Sequence, residues 1–309
     1  MKNKKILVVL GGTSGERTVS LESGNACAKA LRKKGYKVSI FDPKERLLNL
    51  IDRNKVDIIF NALHGKDGED GIAQSYFEYL RIPYTHSGVI SSYNAMNKVI
   101  SKKIFENNKI KTPKYFVLNR DNFNRKNINL MIKGKKIKFP IVVKPINEGS
   151  SLGVYICKNL NEINKSTKLL YKKYEELMFE PYIGGQEIQV AVINGKPLGA
   201  IELKPKRKFY DYKAKYSKKA KTEHIMPANL KKNKYSEVLK IAKKAHDALE
   251  CKGVTRSDFK FYKNKFYLLE LNTQPGMTSL SLVPEIASYK GISFENLVEK
   301  ILLNASLNR

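Results

Sequence analysis

Two segments near the end of the chain have the pattern of β-strands, and this pattern determines which of their polar side chains lie on the same face. Residues 256–262 and 266–272 are rich in Phe, Tyr and Leu, the aromatic ones being typical of strands, and a polar break at 263–265 separates them. They predict an antiparallel hairpin. Because successive side chains on a strand point to opposite faces, Glu270 and Asn272 share one face of this hairpin.

The length of the turn decides whether Asp258 joins that face. A three-residue turn at 263–265 places Asp258 directly opposite Glu270, whereas a two-residue turn pairs it with Leu269 on the other face. In the first register two carboxylates and an amide oxygen meet among apolar neighbours, which is too unfavourable to bury without a cation. All-oxygen ligation suits Mg²⁺, so Asp258, Glu270 and Asn272 are predicted metal ligands. The alternative is a hairpin whose polar side chains face water.

Composition indicates a folded protein of two or three units. The chain has 309 residues, of which 42% are hydrophobic. No apolar run is long enough to span a membrane, and the N-terminus lacks the pattern of a signal peptide. The 3 cysteines stand in unrelated contexts, as expected for reduced thiols. We therefore expect a cytoplasmic protein without a membrane partner.

The net charge of +29 suggests nucleic acid as a partner, but its distribution does not. Of the 58 basic residues, 48 are lysines spread along the whole chain among asparagines. Base recognition favours arginine, and nucleic-acid surfaces are local basic patches. An AT-rich genome explains this composition without any partner, so we expect no nucleic-acid binding.

The first third of the chain alternates strand and helix patterns. Apolar strands are predicted at 6–10, 38–41 and 56–63, with helical periodicity after the first of them. This alternation favours a doubly wound parallel sheet that binds ligands at its carboxyl edge.

A loop rich in glycine and serine, Glu148-Gly-Ser-Ser-Leu-Gly153, is a candidate phosphate-binding element. Its backbone N–H groups and the hydroxyls of Ser150 and Ser151 can surround phosphate oxygens, although an ordinary hairpin turn has the same composition. Lys144 ends the apolar strand before the loop, and a lysine on a buried strand needs an anionic partner. The pair favours a nucleotide phosphate. Lys98 taken alone is typical of a solvated helix residue.

Three further segments carry polar groups where ligands could bind. Glu16 and His64 each follow a strand of the parallel sheet, where they could bind an ammonium and a carboxylate, although either alone is more typical of a cap or turn. Residues 209–216 interleave aromatic and basic side chains, as solvated loops also do. The competing interpretation is a lid in which Lys215 neutralises a phosphorylated intermediate and Tyr216 closes the pocket.

Together these segments resemble the D-alanine–D-alanine ligases of the ATP-grasp superfamily, through almost the whole chain and in family order. The motifs are Leu10-Gly-Gly-Thr-Ser-Gly-Glu-Arg17, His64-Gly-Lys-Asp-Gly-Glu-Asp-Gly71, Glu148-Gly-Ser-Ser-Leu-Gly153, Tyr210-Asp-Tyr-Lys-Ala-Lys-Tyr216, Gly253-Val-Thr-Arg-Ser-Asp258, Glu270-Leu-Asn-Thr-Gln-Pro-Gly276 and Met277-Thr-Ser-Leu-Ser-Leu-Val-Pro284.

The resemblance implies an α/β fold, with an N-terminal doubly wound parallel-sheet domain followed by a two-part ATP-grasp fold. Residues 1–96 would form the substrate domain, 97–184 the central ATP-grasp subdomain, and 185–309 the C-terminal subdomain with the metal site. ATP would lie between the last two parts. A cytoplasmic homodimer is also implied.

The implied reaction joins two D-alanine molecules. ATP phosphorylates the carboxylate of the first, the amine of the second attacks this acyl phosphate, and ADP, phosphate and the dipeptide for peptidoglycan leave. Carboxylate is a poor acyl donor, and the transferring phosphoryl group needs Mg²⁺ and lysines to spread its charge. Two Mg²⁺ ions are expected, with Mn²⁺ as the alternative ion.

The resemblance also implies residue roles. For metal and nucleotide these are Asp258, Glu270 and Asn272 on Mg²⁺, Lys98, Lys144, Ser151 and Lys215 on phosphates, and Glu180 and Glu187 on adenine and ribose. For the first amino acid, Glu16 would bind the ammonium and His64 the carboxylate, and Glu16, Ser150 and Tyr216 would link this site to the lid. Arg256 and the Gly276 N–H would stabilise the oxyanion. Ser281 and Leu282 would bind the carboxylate of the second amino acid.

Two other functions remain open at this point. One is an ATP-grasp ligase that uses another carboxylate or another nucleophile. For D-lactate or D-serine as the second substrate, the presence of Tyr216 argues against it. The other is a basic binding protein without catalysis on the same scaffold, against which the complete metal trio and Arg256 argue.

Overall fold

The computed structural model describes residues 3–204, 222–278 and 280–307. Three sheets organise this part of the chain. No helix within the described ranges is long and apolar enough to cross a membrane.

The first sheet is parallel, with strand order β2-β1-β3. Its elements are β1 (Lys5–Val9), α1 (Arg17–Lys33), β2 (Lys37–Phe41), a 3₁₀ turn (Leu48–Leu50), β3 (Ile58–Asn61), α2 (Ile72–Leu80) and α3 (Val89–Met96). Alternation along β1 divides its side chains between two cores. Ile6 and Val8 pack with Leu31 of α1, whereas Leu7 and Val9 pack with Phe77 of α2. Helices therefore cover both faces, as the doubly wound prediction requires.

The second sheet is antiparallel, with strand order β4-β7-β5-β6. Its elements are α4 (Lys98–Asn107), β4 (Phe116–Asn119), α5 (Arg125–Lys135), β5 (Ile141–Pro145), β6 (Tyr155–Cys157), α6 (Leu160–Leu170) and β7 (Glu176–Pro181). Ile141 and Val143 point into an apolar core with Phe179. By the same alternation Lys144 and Glu180 lie on the opposite face, where they line a cleft.

The third sheet is antiparallel, with strand order β10-β9-β8-β11-β12. Its elements are β8 (Gln186–Ile193), β9 (Lys196–Lys204), β10 (Glu223–Ile225), α7 (Lys232–Ala248), β11 (Val254–Tyr262), β12 (Lys265–Asn272), α8 (Leu282–Tyr289) and α9 (Phe294–Leu303). The apolar stripe of α7 covers one face. Part of the other face packs on the first sheet, with α8 and α9 in the same core.

The expectation of a three-residue turn in the hairpin is wrong. Tyr262 pairs with Lys265, and only Lys263 and Asn264 form the turn, with φ of 47° and 61°. Positive φ at both central residues is typical of the tight turn that matches the twist of a hairpin.

A β-bulge nevertheless brings Asp258 opposite Glu270. Phe259 pairs with Leu268 and Asp258 with Glu270, so Leu269 is the extra residue on β12. The turn is one residue shorter than predicted, and the extra residue in the bulge restores the pairing of Asp258 with Glu270. Asp258 and Glu270 therefore project from the same face.

Candidate active site

A cleft lies between the second and third sheets. It brings together seven of the residues proposed for nucleotide or metal binding, Lys98, Lys144, Ser151, Glu180, Glu187, Asp258 and Glu270. Its apolar walls are Val142, Val154, Pro181, Tyr182, Ile183 and Leu269. An adjoining cavity shares Lys98 and Glu270 and adds Asn272 and Gly149. A cleft that combines apolar walls with lysine side chains suits an aromatic base joined to phosphates.

The three predicted metal ligands come from β11 and β12. Arg256 pairs with Asn272 across the ladder, two positions from the Asp258–Glu270 pair, so all four side chains share a face. The Arg256 guanidinium donates to both oxygens of Asp258, at 2.7 and 2.9 Å. Within the described ranges no group of three His, Cys, Asp or Glu residues could hold a metal ion. The Asn272 amide would therefore have to complete the ligand set.

The oxygen donors fit a hard cation. Beside the two carboxylates and the amide, Gln189 lies opposite Asp258 on β8. Its buried Oε1 has no hydrogen-bond partner within the described part of the chain. A concentration of carboxylate and amide oxygens is the chemistry that Mg²⁺ and Mn²⁺ prefer.

Lys98 connects Glu270, one of the predicted metal ligands, to the glycine–serine loop. Its ammonium donates to the backbone carbonyl of Glu148 at 2.5 Å and lies 3.4 Å from the Glu270 carboxylate. The residue begins α4, whose first turn is capped by the side chain of Asn97. The helix end therefore fixes where this cation stands.

Glu180 is held by two lysines, one of which was not predicted from the sequence. Lys144 donates to one carboxylate oxygen, and Lys102 lies 2.9 Å from the other. Lys102 is fully buried and also donates to Thr112 Oγ1 at 2.7 Å. Burial lowers the pKa of Lys102 to about 8. Burial alone would raise the pKa of Glu180, but the two ammonium groups outweigh it and lower that pKa. The sequence carried one signal for Lys102: it lies four residues after Lys98, so the two side chains share a face of one helix.

A second missed lysine contacts Glu187. Lys260 on β11 lies directly opposite Glu187 on β8, and its Nζ donates to Glu187 Oε2 at 2.8 Å. Both residues line the cleft. The period-two spacing from Asp258 could have placed Lys260 on this face, but the sequence does not show which strand lies beside β11.

Glu16 lies in the loop after β1 and meets the glycine–serine loop. The Ser150 hydroxyl donates to the Glu16 carboxylate across a separation of 134 residues. A Cβ added to Gly149 would lie 2.6 Å from Glu16 Oε2, and one added to Gly65 2.9 Å from the same atom. Gly65 also has a φ of +73°. Only glycine allows both loops to approach this carboxylate so closely.

His64 is buried, close enough to Arg256 to feel its charge. Its Nδ1 lies 4.0 Å from Glu69 Oε1. Burial lowers the pKa of His64 to about 4, and the Arg256 charge adds to the effect. Burial raises the pKa of Glu69 well above its usual value, with the Glu16 charge adding to it. At neutral pH the His64 imidazole is therefore uncharged and can offer one N–H to a ligand.

Ser281 and Leu282 lie at the start of α8. Ser281 is the N-cap residue and Leu282 the first helical residue, at a helix end whose N–H groups can bind a carboxylate. Thr278 donates to Ser281 Oγ at 2.9 Å through its backbone N–H. A Cβ added to Gly276 would lie 2.9 Å from Ser281 Oγ, so the two predicted groups are neighbours. Lys215 and Tyr216 lie outside the described residues.

Comparison with family models identifies both parts of the chain. Residues 41–87 match the model described as the D-ala D-ala ligase N-terminus, and residues 104–303 match the model described as the D-ala D-ala ligase C-terminus. Together they cover more than half of the 309 residues.

Relatives and solved structures match over nearly full length. A D-alanine–D-alanine ligase of Pelagibacter ubique is 58% identical over 306 residues, covering 99% of both chains. The Bacillus anthracis D-alanine–D-alanine ligase, solved as a complex with ATP, is 30% identical with a TM-score of 0.82 and 97% coverage of each chain. The VanG D-Ala:D-Ser ligase of Enterococcus faecalis is 27% identical, with a TM-score of 0.84 and coverage of 97% of this chain and 98% of its own. This chain belongs to the D-alanine–D-alanine ligase family.

Proposed function

We propose that this enzyme joins two D-alanine molecules to D-alanyl-D-alanine at the expense of ATP, for peptidoglycan synthesis. A carboxylate oxygen of the first D-alanine attacks the γ-phosphorus, and ADP leaves. The amine of the second attacks the acyl carbon, a proton is lost from the nitrogen, and phosphate leaves with the bonding electrons. The observation that carries the proposal is the contact between Glu16 and Ser150, which joins the predicted amino-acid site to the loop beside the nucleotide cleft.

The nucleotide would lie in the cleft between the second and third sheets. Lys98, Lys144, Ser151 and Lys215 would neutralise phosphate oxygens, and Glu180 and Glu187 would bind adenine and ribose. The two lysines on Glu180 support an ionised carboxylate that can accept from an adenine amino group.

Asp258, Glu270 and Asn272 would hold Mg²⁺, as two ions, with Mn²⁺ as the alternative. When bound, the metal would spread the negative charge of the transferring phosphoryl group. Lys98, within 3.4 Å of Glu270, would add a fixed positive charge beside it.

The amino-acid substrates would lie on the other side of this metal site. Glu16 would accept from the first ammonium, and neutral His64 would donate to its carboxylate. Arg256 and the Gly276 N–H would stabilise the tetrahedral oxyanion. Ser281 and Leu282, at the N-terminus of α8, would bind the second carboxylate.

The second substrate would be chosen at the lid. Tyr216 with Ser150 and Glu16 would close the pocket over the acyl phosphate and favour D-alanine over D-lactate or D-serine. Lys215 would move with this lid toward the phosphoryl group.

We also infer a cytoplasmic homodimer. Four large side chains on α2 and α3 are 52–79% exposed, Ile72, Tyr79, Ile90 and Tyr93. Large exposed apolar and aromatic side chains on two neighbouring helices are typical of a subunit interface. The three sheets support division of the chain into units at 1–96, 97–184 and 185–309.

The direct test is release of ADP and phosphate with D-alanine as the only amino acid, combined with detection of the dipeptide. We expect turnover with D-alanine, and far less when D-lactate or D-serine replaces the second D-alanine. Turnover confined to a mixture with D-lactate or D-serine would assign the enzyme to a different ligase specificity. No ADP release with any of the three would contradict the proposal.

A further inference from the structure

The Lys260–Glu187 pair is built into the cleft rather than into a core. Lys260 and Glu187 face each other across β11 and β8, joined at 2.8 Å, and their side chains are only 10% and 12% exposed. The alternate residues Phe259 and Phe261 point the other way, toward the apolar core under α7. The core therefore needs nothing from Lys260.

An ion pair is an unusual choice at this position. Its neighbours in the cleft include the apolar Tyr182, Ile183 and Leu269. Two charges withdrawn from water gain little net stability, and a well-packed apolar residue is often at least as stabilising there. A lysine paired with a carboxylate on a ligand-facing surface therefore indicates a role toward the ligand.

We propose that Lys260 is a positioning residue that orients Glu187 toward the ribose and thereby sets the preference for ribonucleotide over deoxyribonucleotide. The proposal rests on the assignment of ATP to this cleft. Lys260 occupies Oε2 of Glu187, which fixes the plane of the carboxylate and directs its remaining lone pairs. An ionised carboxylate can accept a hydrogen bond from each hydroxyl of a ribose.

The positive charge of Lys260 supports the same role in a second way. A triphosphate carries several negative charges, and an unpaired Glu187 would repel it. The Lys260 ammonium cancels the Glu187 charge, so the carboxylate can lie close to the nucleotide while still accepting from its sugar.

A simple attraction between Lys260 and the phosphates makes a different prediction. It would strengthen the binding of ATP and of its two deoxy analogues equally, because all three carry the same phosphates. Action through Glu187 would strengthen the binding only of nucleotides that carry the hydroxyl bound by Glu187. The ratio of affinities therefore separates the two roles.

The test is calorimetric binding of ATP, 2′-deoxyATP and 3′-deoxyATP with Mg²⁺ and no amino acid. In Lys260→Met we expect the Kd for ATP to rise about tenfold, and the Kd for at least one deoxy analogue to rise less than about threefold. Lys260→Arg should keep the native ratio. Lys265→Met, the same change on an exposed lysine of this hairpin, should alter no Kd.

Glu187→Gln completes a double-mutant cycle. If Lys260 acts through Glu187, the double variant should bind ATP no worse than Glu187→Gln alone, to within about twofold. Equal weakening of all three nucleotides in Lys260→Met, or additive losses in the double variant, would overturn the proposal. Lys260→Gln serves in the same comparison if Lys260→Met does not fold.

The controls distinguish failure of this inference from failure of the proposed function. Native protein that binds no ATP would refute the nucleotide site itself. Native protein that prefers ATP to its deoxy analogues but forms no dipeptide would refute the ligase reaction while leaving the Lys260 role intact.

Discussion

The Ser150 hydroxyl donates to the Glu16 carboxylate and so joins the glycine–serine loop to the loop after β1. Glu16 is only 5% exposed and Ser150 8%. A buried carboxylate requires hydrogen-bond partners. The Ser150 hydroxyl supplies one and holds the two loops together.

Replacing Ser150 by alanine should weaken the first substrate site. We expect the KM for D-alanine at this site to rise about tenfold, because a hydrogen bond to a charged group is worth about 1.5–3 kcal/mol. Steady-state kinetics over a wide D-alanine range would measure it. Ser288→Ala, on the exposed side of α8, is the matched control and should leave KM unchanged; an unchanged KM in Ser150→Ala would contradict the role.

Gly149→Ala should be more harmful than loss of the Ser150 hydroxyl. The added methyl would lie 2.6 Å from Glu16 Oε2, so the carboxylate or the loop must move. We expect kcat/KM for D-alanine to fall at least about a hundredfold. Gly134→Ala, on α5 where a Cβ meets nothing within 4 Å, should keep full activity. Native kinetics in Gly149→Ala would show that the loop tolerates displacement.

Arg256→Ala should remove most of the turnover while the fold remains. If Arg256 stabilises the oxyanion, kcat should fall about 10²–10³-fold, as for loss of one oxyanion donor. Glu270→Ala should instead raise the Mg²⁺ concentration needed for activity. Circular dichroism and a Mg²⁺ titration of ADP release distinguish the two effects. Retained turnover in Arg256→Ala would refute the assignment.

Lys102→Met should destabilise the protein and weaken ATP binding together. It would leave Glu180 buried with Lys144 as its remaining cationic partner, and removal of one member of a buried pair costs about 3–5 kcal/mol. Urea unfolding would measure the loss. Lys103→Met, an exposed neighbour on α4, should change stability by less than about 0.5 kcal/mol. A loss of stability below about 1 kcal/mol in Lys102→Met would mean that Glu180 tolerates the absence of one of its two lysine partners.

Stability should fall as the pH falls from about 6.5 toward 4. His246 is buried on α7, with its Nδ1 2.9 Å from Thr255 Oγ1, and burial lowers its pKa from 6.5 to about 4. Between these values the unfolded chain binds the proton and the folded protein does not, so acid favours unfolding, by up to about 3 kcal/mol.

His64 has a similarly lowered pKa and should contribute in the same direction. Urea unfolding at several pH values should therefore show a smaller pH dependence in His246→Asn than in the native protein. An equal dependence in both would show that His246 does not titrate in this way.

The sequence by itself determined which side chains share a face. Period-two alternation placed Glu270 on the same face as Asn272, and the strand–helix alternation predicted the doubly wound sheet, which the structure confirms. These features are local, because they depend only on residues a few positions apart.

Only the tertiary structure decided which of these faces meet. The bulge between the Asp258–Glu270 and Phe259–Leu268 pairs is a backbone irregularity that side-chain alternation does not reveal. The Glu16–Ser150 contact and the pairing of Lys260 with Glu187 join residues that are distant in the sequence. The Lys102–Glu180 pair likewise joins side chains of α4 and β7, which lie 78 residues apart in the sequence. Periodicity carries no information about such neighbours, because they are set by the free energy of packing whole elements together.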